Sequence, residues 1–380
     1  TIKLLKFTED APQIFLRSLE AHLKPTVEYL RGLGVNRLGL VIERAPTLLG
    51  RSLDKLKSRI ADLQGLGVKR FHRVIETAPA VLYIDIRPVV VYLQSLEVTR
   101  LGLVIERSPG LLTLSLEDNL KPKVAYLRGL GVKRFHRVIE ITPSIFTLNL
   151  EHLKGTGAYF QGLGVTRLGR VIEGAPNILG LSLEGNLKPT VAYLQGLGVT
   201  RLGHVIDTAP QIIGLSLEQH LKPTVAYLQT LGIDHLDRFI ETFPTVLSYN
   251  IEGRLKPAVA LLARIRWDTI VLPEEFSRLL ILNLRAVELI VETAEAMNRP
   301  VRSVREAKRV YSAIDRRAKR RVGRTLSGWL RDAPDEASRL TVEAEIRQLI
   351  RDYLDRVSTK PAVPPATHPP RERHRSANVP

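Results

Sequence analysis

One residue type recurs at fixed spacing along most of the chain. Arg37, Arg70, Arg100, Arg134, Arg167 and Arg201, followed by His235, stand at steps of 33, 30, 34, 33, 34 and 34 residues. A guanidinium is a planar fork of donors that matches phosphate or carboxylate oxygens. A row of them suits a sugar-phosphate backbone. A second row lies three residues on, at Arg73, Arg137, Arg170, His204 and Arg238, and is interrupted by Leu40 and Leu103. A row of acids, Glu43, Glu76, Glu106, Glu140, Glu173, Asp207 and Glu241, lies six residues beyond the first. Six residues turn a helix by about 240°, so arginine and acid of one helix pair poorly. Two readings follow for the arginine row: contact with phosphates, or a row that is solvated or forms salt bridges between neighbouring units.

Other chemistries find no support in the sequence. There are no cysteines, which excludes disulfides, zinc ribbons, iron–sulfur clusters and a cysteine nucleophile. No Gly-rich phosphate loop ending in Lys-Ser/Thr and no His-Glu-x-x-His occur. His72 and His136 occupy equivalent positions, as do His22, His152 and His220, so they read as repeat copies and not as a metal cluster. The carboxylates fall in the acidic row and form no acid/base pair. No catalytic residue, metal site or cofactor is expected.

Charge points to a polyanionic partner. The chain has 380 residues, a net charge of +17 and an isoelectric point near 10.2. Residues 302–324 alone hold Arg302, Arg305, Lys308, Arg309, Arg316, Arg317, Lys319, Arg320, Arg321 and Arg324, opposed by Glu306 and Asp315. No apolar run approaches the roughly 20 residues that cross a bilayer. The basic stretch lacks an aromatic insertion face, which argues against an anionic membrane. The sequence begins at Thr1 and its single methionine is Met297, a start that removal of a presequence or trimming would leave.

The elements that must carry these rows form a repeat array. Leu-Gly recurs at Gly34, Gly67, Gly131, Gly164, Gly198 and Gly232, with Glu97 in the equivalent place of one unit. A proline recurs in the same register at Pro12, Pro46, Pro79, Pro109, Pro143, Pro176, Pro210 and Pro244. Two anchors in one register indicate a repeat architecture, with a three-residue deletion around 83–87. In residues 187–217, Lys188-Pro189 opens a helix with proline at its first position. Val191, Leu194 and Leu197 form its apolar stripe, and Gly198 ends it. Thr200 suits an N-cap, and Leu202, Val205 and Ile206 mark a second helix. That helix stops before Pro210, and a single turn of 3-10 or α helix follows. The proline of the first helix is missing at Ser58 and Gly155, so those helices should start less sharply. Gly155 and Gly157 should weaken theirs. Units of this kind bury their faces only by stacking into a solenoid.

Tyr29, Tyr92, Tyr126, Tyr159, Tyr193 and Tyr227 form a further column, broken at Asp62. Packing between units is the favoured reading, and stacking on bases is the alternative.

The pattern Leu-Lys-Pro-x-Val-x-Tyr-Leu-x-x-Leu-Gly-Val, then Val-Ile-Glu-x-x-Pro, resembles the repeat of the mitochondrial transcription termination factor (mTERF) family over about residues 8–265. The resemblance implies a left-handed helical superhelix, import into mitochondria or chloroplasts, and nucleic-acid binding. Family members terminate transcription, assist intron splicing or assemble on organellar ribosomes and their RNA.

After residue 265 the repeat pattern stops. Residues 274–298 read as one or two amphipathic helices, 301–331 as a helix with a strongly basic face, and 337–357 as a further helix with Leu340, Ile346, Leu349, Ile350 and Leu354 on its apolar side. Residues 361–380, with Arg371, Arg373 and Arg375, are proline-rich and should order only on binding. The expected architecture is therefore all-α: a solenoid over 1–265, a helical basic extension over 266–358 and a tail over 359–380. The expected function is non-enzymatic binding of structured RNA at the periphery of an organellar ribosome, mitochondrial in preference to chloroplast, beside ribosomal proteins. A DNA-binding transcription terminator acting on duplex DNA is the first alternative. A protein-binding scaffold is the second.

Overall fold

The computed structural model describes residues 18–233, 235–265 and 273–358, with the side chains of 273–275 and 358 left aside. Pro12, Arg371, Arg373 and Arg375 lie outside the described residues. Among those described, every regular element is helical. They group into two compact units: residues 18–229 with 235–248, and residues 230–233 with 249 onward.

The first unit is a stack of helix pairs. Its long helices are α1 (Lys24–Gly32), α3 (Leu53–Gly65), α5 (Arg87–Ser95), α7 (Lys121–Gly129), α9 (Leu150–Gly162), α11 (Lys188–Gly196) and α13 (Lys222–Thr230). Each is followed by a seven-residue partner: α2 (Leu38–Arg44), α4 (Phe71–Thr77), α6 (Leu101–Arg107), α8 (Phe135–Ile141), α10 (Leu168–Gly174), α12 (Leu202–Thr208) and α14 (Leu236–Thr242). A 3-10 turn opened by the recurring proline closes each pair, as at Pro176–Gly180 and Pro210–Gly214. Val191, Leu194, Val205, Ile206, Ile212 and Ile213 bury the face of one such unit, with Leu197 half-buried.

Lys-Pro opens the α turns of the long helix as the sequence predicts, but the helical path begins before them. A five-residue wide turn precedes, for example Leu183–Leu187, and Ser182 caps it by accepting from the Gly185 N–H. Lys188 N–H then donates five residues back, to Leu183 O. The widened turn makes room for the proline ring, which has no N–H to bond. Ser18, Ser115 and Ser216 cap the same turn in three further units. Where Ser58 or Gly155 replaces the proline, no wide turn forms, and α3 and α9 run unbroken for 13 residues. α3 starts without a side-chain cap from Ser52, whereas α9 is capped by Asn149, which accepts from the Glu151 N–H. Gly155 and Gly157 do not interrupt α9.

The Leu-Gly turns are left-handed, with φ of +83° at Gly34 and +88° at Gly198, and Glu97 adopts φ +63° at the same place. The turn of one unit presses on the second helix of the next. At Gly102, Gly169 and Gly203 an added methyl group would overlap the main chain of Gly67, Gly131 and Gly164 respectively. His72 and Asp237 take that position elsewhere and stay in ordinary van der Waals contact with Gly34 and Gly198.

The second unit contains α15 (Lys256–Arg264), α16 (Pro273–Leu280), α17 (Leu284–Ala296), α18 (Val304–Val322), α19 (Leu326–Arg331) and α20 (Glu336–Ser358). Residues 251–264 still follow the repeat pattern, with Asn250 capping the wide turn. α17 is buried on most sides through Ala286, Val287, Leu289, Ile290, Val291 and Ala294. α18 and α20 pack on it. The single helix expected over 301–331 is two, because Gly323 turns left-handed at φ +69° and Thr325 caps α19 through the Gly328 N–H. In α20, Ile346, Leu349 and Ile350 are buried while Leu340 faces solvent, against expectation. The polar centre is Glu343, 3% exposed, held by both Nε and Nη2 of Arg285 at 2.8 and 2.6 Å. That fork keeps its carboxyl below the ordinary range despite burial.

Candidate nucleic-acid interface

Each ladder arginine sits at the N-cap of a second helix, and none caps that helix with its own side chain. The cap comes from the next unit. Glu76 Oε1 accepts from the N–H groups of Asn36 and Arg37 at 2.8 and 3.1 Å. Glu106 does the same for Lys69 and Arg70, Glu140 for Thr99 and Arg100, and Glu173 for Lys133 and Arg134. Asp207 serves Thr166 and Arg167, and Glu241 serves Thr200 and Arg201. One acid therefore satisfies two otherwise orphaned donors one unit back. Thr200 does not act as an N-cap: its hydroxyl donates to Glu241 at 2.9 Å.

Electrostatics follow from this placement. Burial pushes the carboxyls of Glu106, Glu140, Glu173 and Glu241 up, yet the N–H donors and arginine charges outweigh it and leave them below the ordinary value. Glu76 is lowered chiefly by the Arg37 N–H. A phosphate cannot also take the N–H groups at these helix N-termini, since carboxylates already hold them. Any phosphate must be met by side chains.

The arginine side chains divide into two kinds. Arg70 Nε reaches Glu106 Oε2 at 2.7 Å and Arg134 Nε reaches Glu173 Oε2 at 2.7 Å. Arg100 lies farther from Glu140, at 3.3 Å. Among the described residues, no ion pair holds Arg37, Arg167 or Arg201. The second row, Arg73, Arg137 and Arg170 with His204 and Arg238, is exposed. Arg107, beyond both rows, donates to Glu140 O at 2.6 Å and so closes the end of the neighbouring second helix.

The tyrosine column is half-buried throughout. Tyr126 Oη donates to Leu153 O at 3.3 Å and occupies the space left by Gly157, where a methyl group would collide with it. Burial raises the Tyr126 hydroxyl above its ordinary value. Tyr126 packs between units. Two of the histidine copies also have structural partners. His152 and His220 Nε2–H donate to Leu179 O and Leu247 O at 3.1 and 3.0 Å, closing the next unit's 3-10 turn. Buried Lys123 does the same at Phe146 O, 2.7 Å. Among the described residues no group of three acids or histidines could hold a metal ion, and no helix is long and apolar enough to cross a membrane.

In the second unit, Val304, Ala307, Val310, Ile314 and Ala318 bury one face of α18. The opposite face carries Arg305, Arg309, Arg316 and Arg320 at helical spacing, with Arg302 just before the helix, all exposed. Arg302, Arg305, Lys308, Arg309 and Arg320 have no side-chain partner among the described residues. Arg316 bonds only Ser312 O, at 3.2 Å. Lys319, Arg321 and Arg324 pair with Asp315, Glu345 and Asp332 at 2.9, 3.6 and 3.9 Å. Arg317 turns inward, its guanidinium 5.1 Å from the Tyr353 ring centre.

Sequence reasoning overlooked two residues on the solenoid face. Lys69 and Lys133 precede Arg70 and Arg134, are exposed, and have side chains without a partner among the described residues. Their sign and position were visible, but the pairing of the following arginine was not.

The family model for mTERF matches residues 2–277. A comparison with curated proteins finds no match.

Proposed function

The chain belongs to the mTERF family, whose members are organellar nucleic-acid-binding proteins, and from that premise we propose that it binds structured RNA, without enzymatic activity, at the periphery of an organellar ribosome. The organelle in this reading is the mitochondrion, and neighbouring ribosomal proteins complete the site.

The observation that carries the reading is the outward face of α18. Arg305, Arg309, Arg316 and Arg320 line up over about 22 Å of helix at 1.5 Å per residue, and none of them is in an ion pair among the described residues. A cationic edge of that length matches a phosphate backbone. Recognition by shape and backbone is how proteins read folded RNA.

Sedimentation of the native protein from organelle lysate, with and without RNase, tests the setting. Co-migration with a ribosomal subunit that RNase abolishes supports it. Migration with DNase-sensitive material sinks it in favour of duplex DNA binding. For the surface itself, replacing Arg305, Arg309, Arg316 and Arg320 together with glutamine should flatten the slope of log affinity against log salt by about 3. An unchanged slope would remove α18 from the interface.

A further inference from the structure

The ladder arginines are not equivalent, and in four of the six units the state of the arginine follows the residue before it. Where that residue is threonine, its hydroxyl joins the two N–H groups on the carboxylate: Thr166 Oγ1 reaches Asp207 at 2.7 Å and Thr200 Oγ1 reaches Glu241 at 2.9 Å. The acid is then satisfied without the guanidinium, and Arg167 and Arg201 extend with no ion pair among the described residues. Both line an open groove between the turn that precedes α10 and the start of α12, together with His204. Where the preceding residue is lysine, no hydroxyl is available, and the arginine itself closes on the second carboxylate oxygen, as in Arg70–Glu106 and Arg134–Glu173. Glu106 and Glu173 are 5% and 4% exposed, so each of these pairs neutralises a nearly buried charge. The lysine is left exposed. The third threonine unit is intermediate, since Glu140 takes both Thr99 Oγ1 at 3.1 Å and Arg100 Nε at 3.3 Å.

We infer that the phosphate-binding row of the solenoid is a staggered set, Lys69 and Lys133 in the lysine units and Arg167 and Arg201 in the threonine units, whereas Arg70 and Arg134 are staples between repeats. The inference rests on the nucleic-acid reading above and adds which solenoid cations meet the backbone. Each of these units keeps an unpaired full cation just before its second helix, one residue earlier in the lysine units than in the threonine units, and Arg73, Arg137 and Arg170 stand exposed one turn further on. With packed helices about 8–10 Å apart and nucleotides about 3.4 Å apart along a strand, such a row touches roughly every third phosphate. It tracks a backbone and reads no bases. The ligand is a phosphodiester chain, and RNA and DNA are its two possible sources.

Three full-length double variants separate the roles: Lys69→Gln with Lys133→Gln, Arg167→Gln with Arg201→Gln, and Arg70→Gln with Arg134→Gln. Affinity is measured between about 50 and 200 mM salt for an RNA hairpin and for a DNA duplex of the same sequence. The first two pairs should each flatten the log–log slope by about 1.5. The third should leave the slope unchanged and lower the urea midpoint. Equal flattening by the Arg70/Arg134 pair would overturn the division while leaving nucleic-acid binding intact. So would an unchanged slope in the lysine pair. Loss of slope with the RNA alone assigns the row to RNA, and with the DNA alone to DNA. Absence of binding by the unaltered protein to either would sink the function proposed above together with this inference.

Discussion

Glu241 reaches back one repeat to accept hydrogen bonds from the main-chain N–H groups of Thr200 and Arg201 at 2.7 and 2.8 Å. The acid stands near the end of its own helix and caps the start of its neighbour's. The same relation recurs from Glu76 onward, so the acidic row is a chain of clamps between units. In a solenoid, stability resides largely in such interfaces between neighbours. A clamp that also fills the helix N-terminus changes what the surface above it can bind.

The clamp should be measurable at Glu173, which holds Lys133, Arg134 and the Arg134 guanidinium. Glu173→Ala leaves two donors and a guanidinium without a partner and should destabilise the protein by about 2–3 kcal/mol. Glu173→Gln keeps an oxygen for the N–H groups and should cost less. Urea unfolding gives both values. A loss below about 0.5 kcal/mol in the alanine variant would mean the carboxylate does not hold the repeats together.

Acid should loosen the array. The carboxyls of Glu76, Glu106, Glu140, Glu173 and Glu241 all titrate below their ordinary value of 4.5 when folded. Between the folded and unfolded values the unfolded chain binds more protons, so stability rises with pH there. The contribution is complete above the ordinary carboxylate range and is lost as pH falls through the depressed folded values. The urea midpoint should hold steady at neutral pH and drop once pH falls below about 4.5. Replacing Glu106 and Glu173 with glutamine should shallow that drop. An identical acid limb in the variant would assign it to other carboxylates.

Glycine at the repeat contact should be intolerant of substitution. Gly169→Ala drives a methyl group into the main chain of Gly131, which cannot yield without separating two units. The expected loss is about 3 kcal/mol. Gly39 lies at the corresponding place in α2 with open space around it. Gly39→Ala should be neutral or stabilise by up to about 1 kcal/mol. Thermal unfolding of the two variants side by side decides the matter, and equal effects would remove the close approach as the cause.

Tyr126 and Gly157 should be energetically coupled. The phenol lies where an alanine methyl at 157 would be. Gly157→Ala should cost about 1–2 kcal/mol in the native background. The cost should shrink in a Tyr126→Phe background, where the hydroxyl is gone. A double-mutant cycle measures the coupling. Strict additivity would show that the tyrosine does not pack on this glycine.

The sequence by itself determined the repeat, its helix pairs, the left-handed Leu-Gly turns, a short helical turn at each recurring proline and the interval at which charged rows recur. These depend on local rules: periodic apolar positions, glycine at positive φ, and the bar that proline sets on the residue before it. Even the wide turns have a local signal, since they appear with Ser or Asn six residues before Lys-Pro and vanish at Ser58 and Gly155. Only the tertiary structure decided what the rows do. Arg134 and Glu173 lie 39 residues apart, and the bond between them depends on how one unit stacks on another. Spacing within a helix excluded an internal pair but could not choose between a phosphate and a neighbour's carboxylate. The same limit held in α18, where Arg317 and Arg320 read alike in sequence while packing turned one against Tyr353 and left the other in solvent. Charge type and period are written along the chain, but whether a charge is spent inside the protein depends on contacts between residues distant in it.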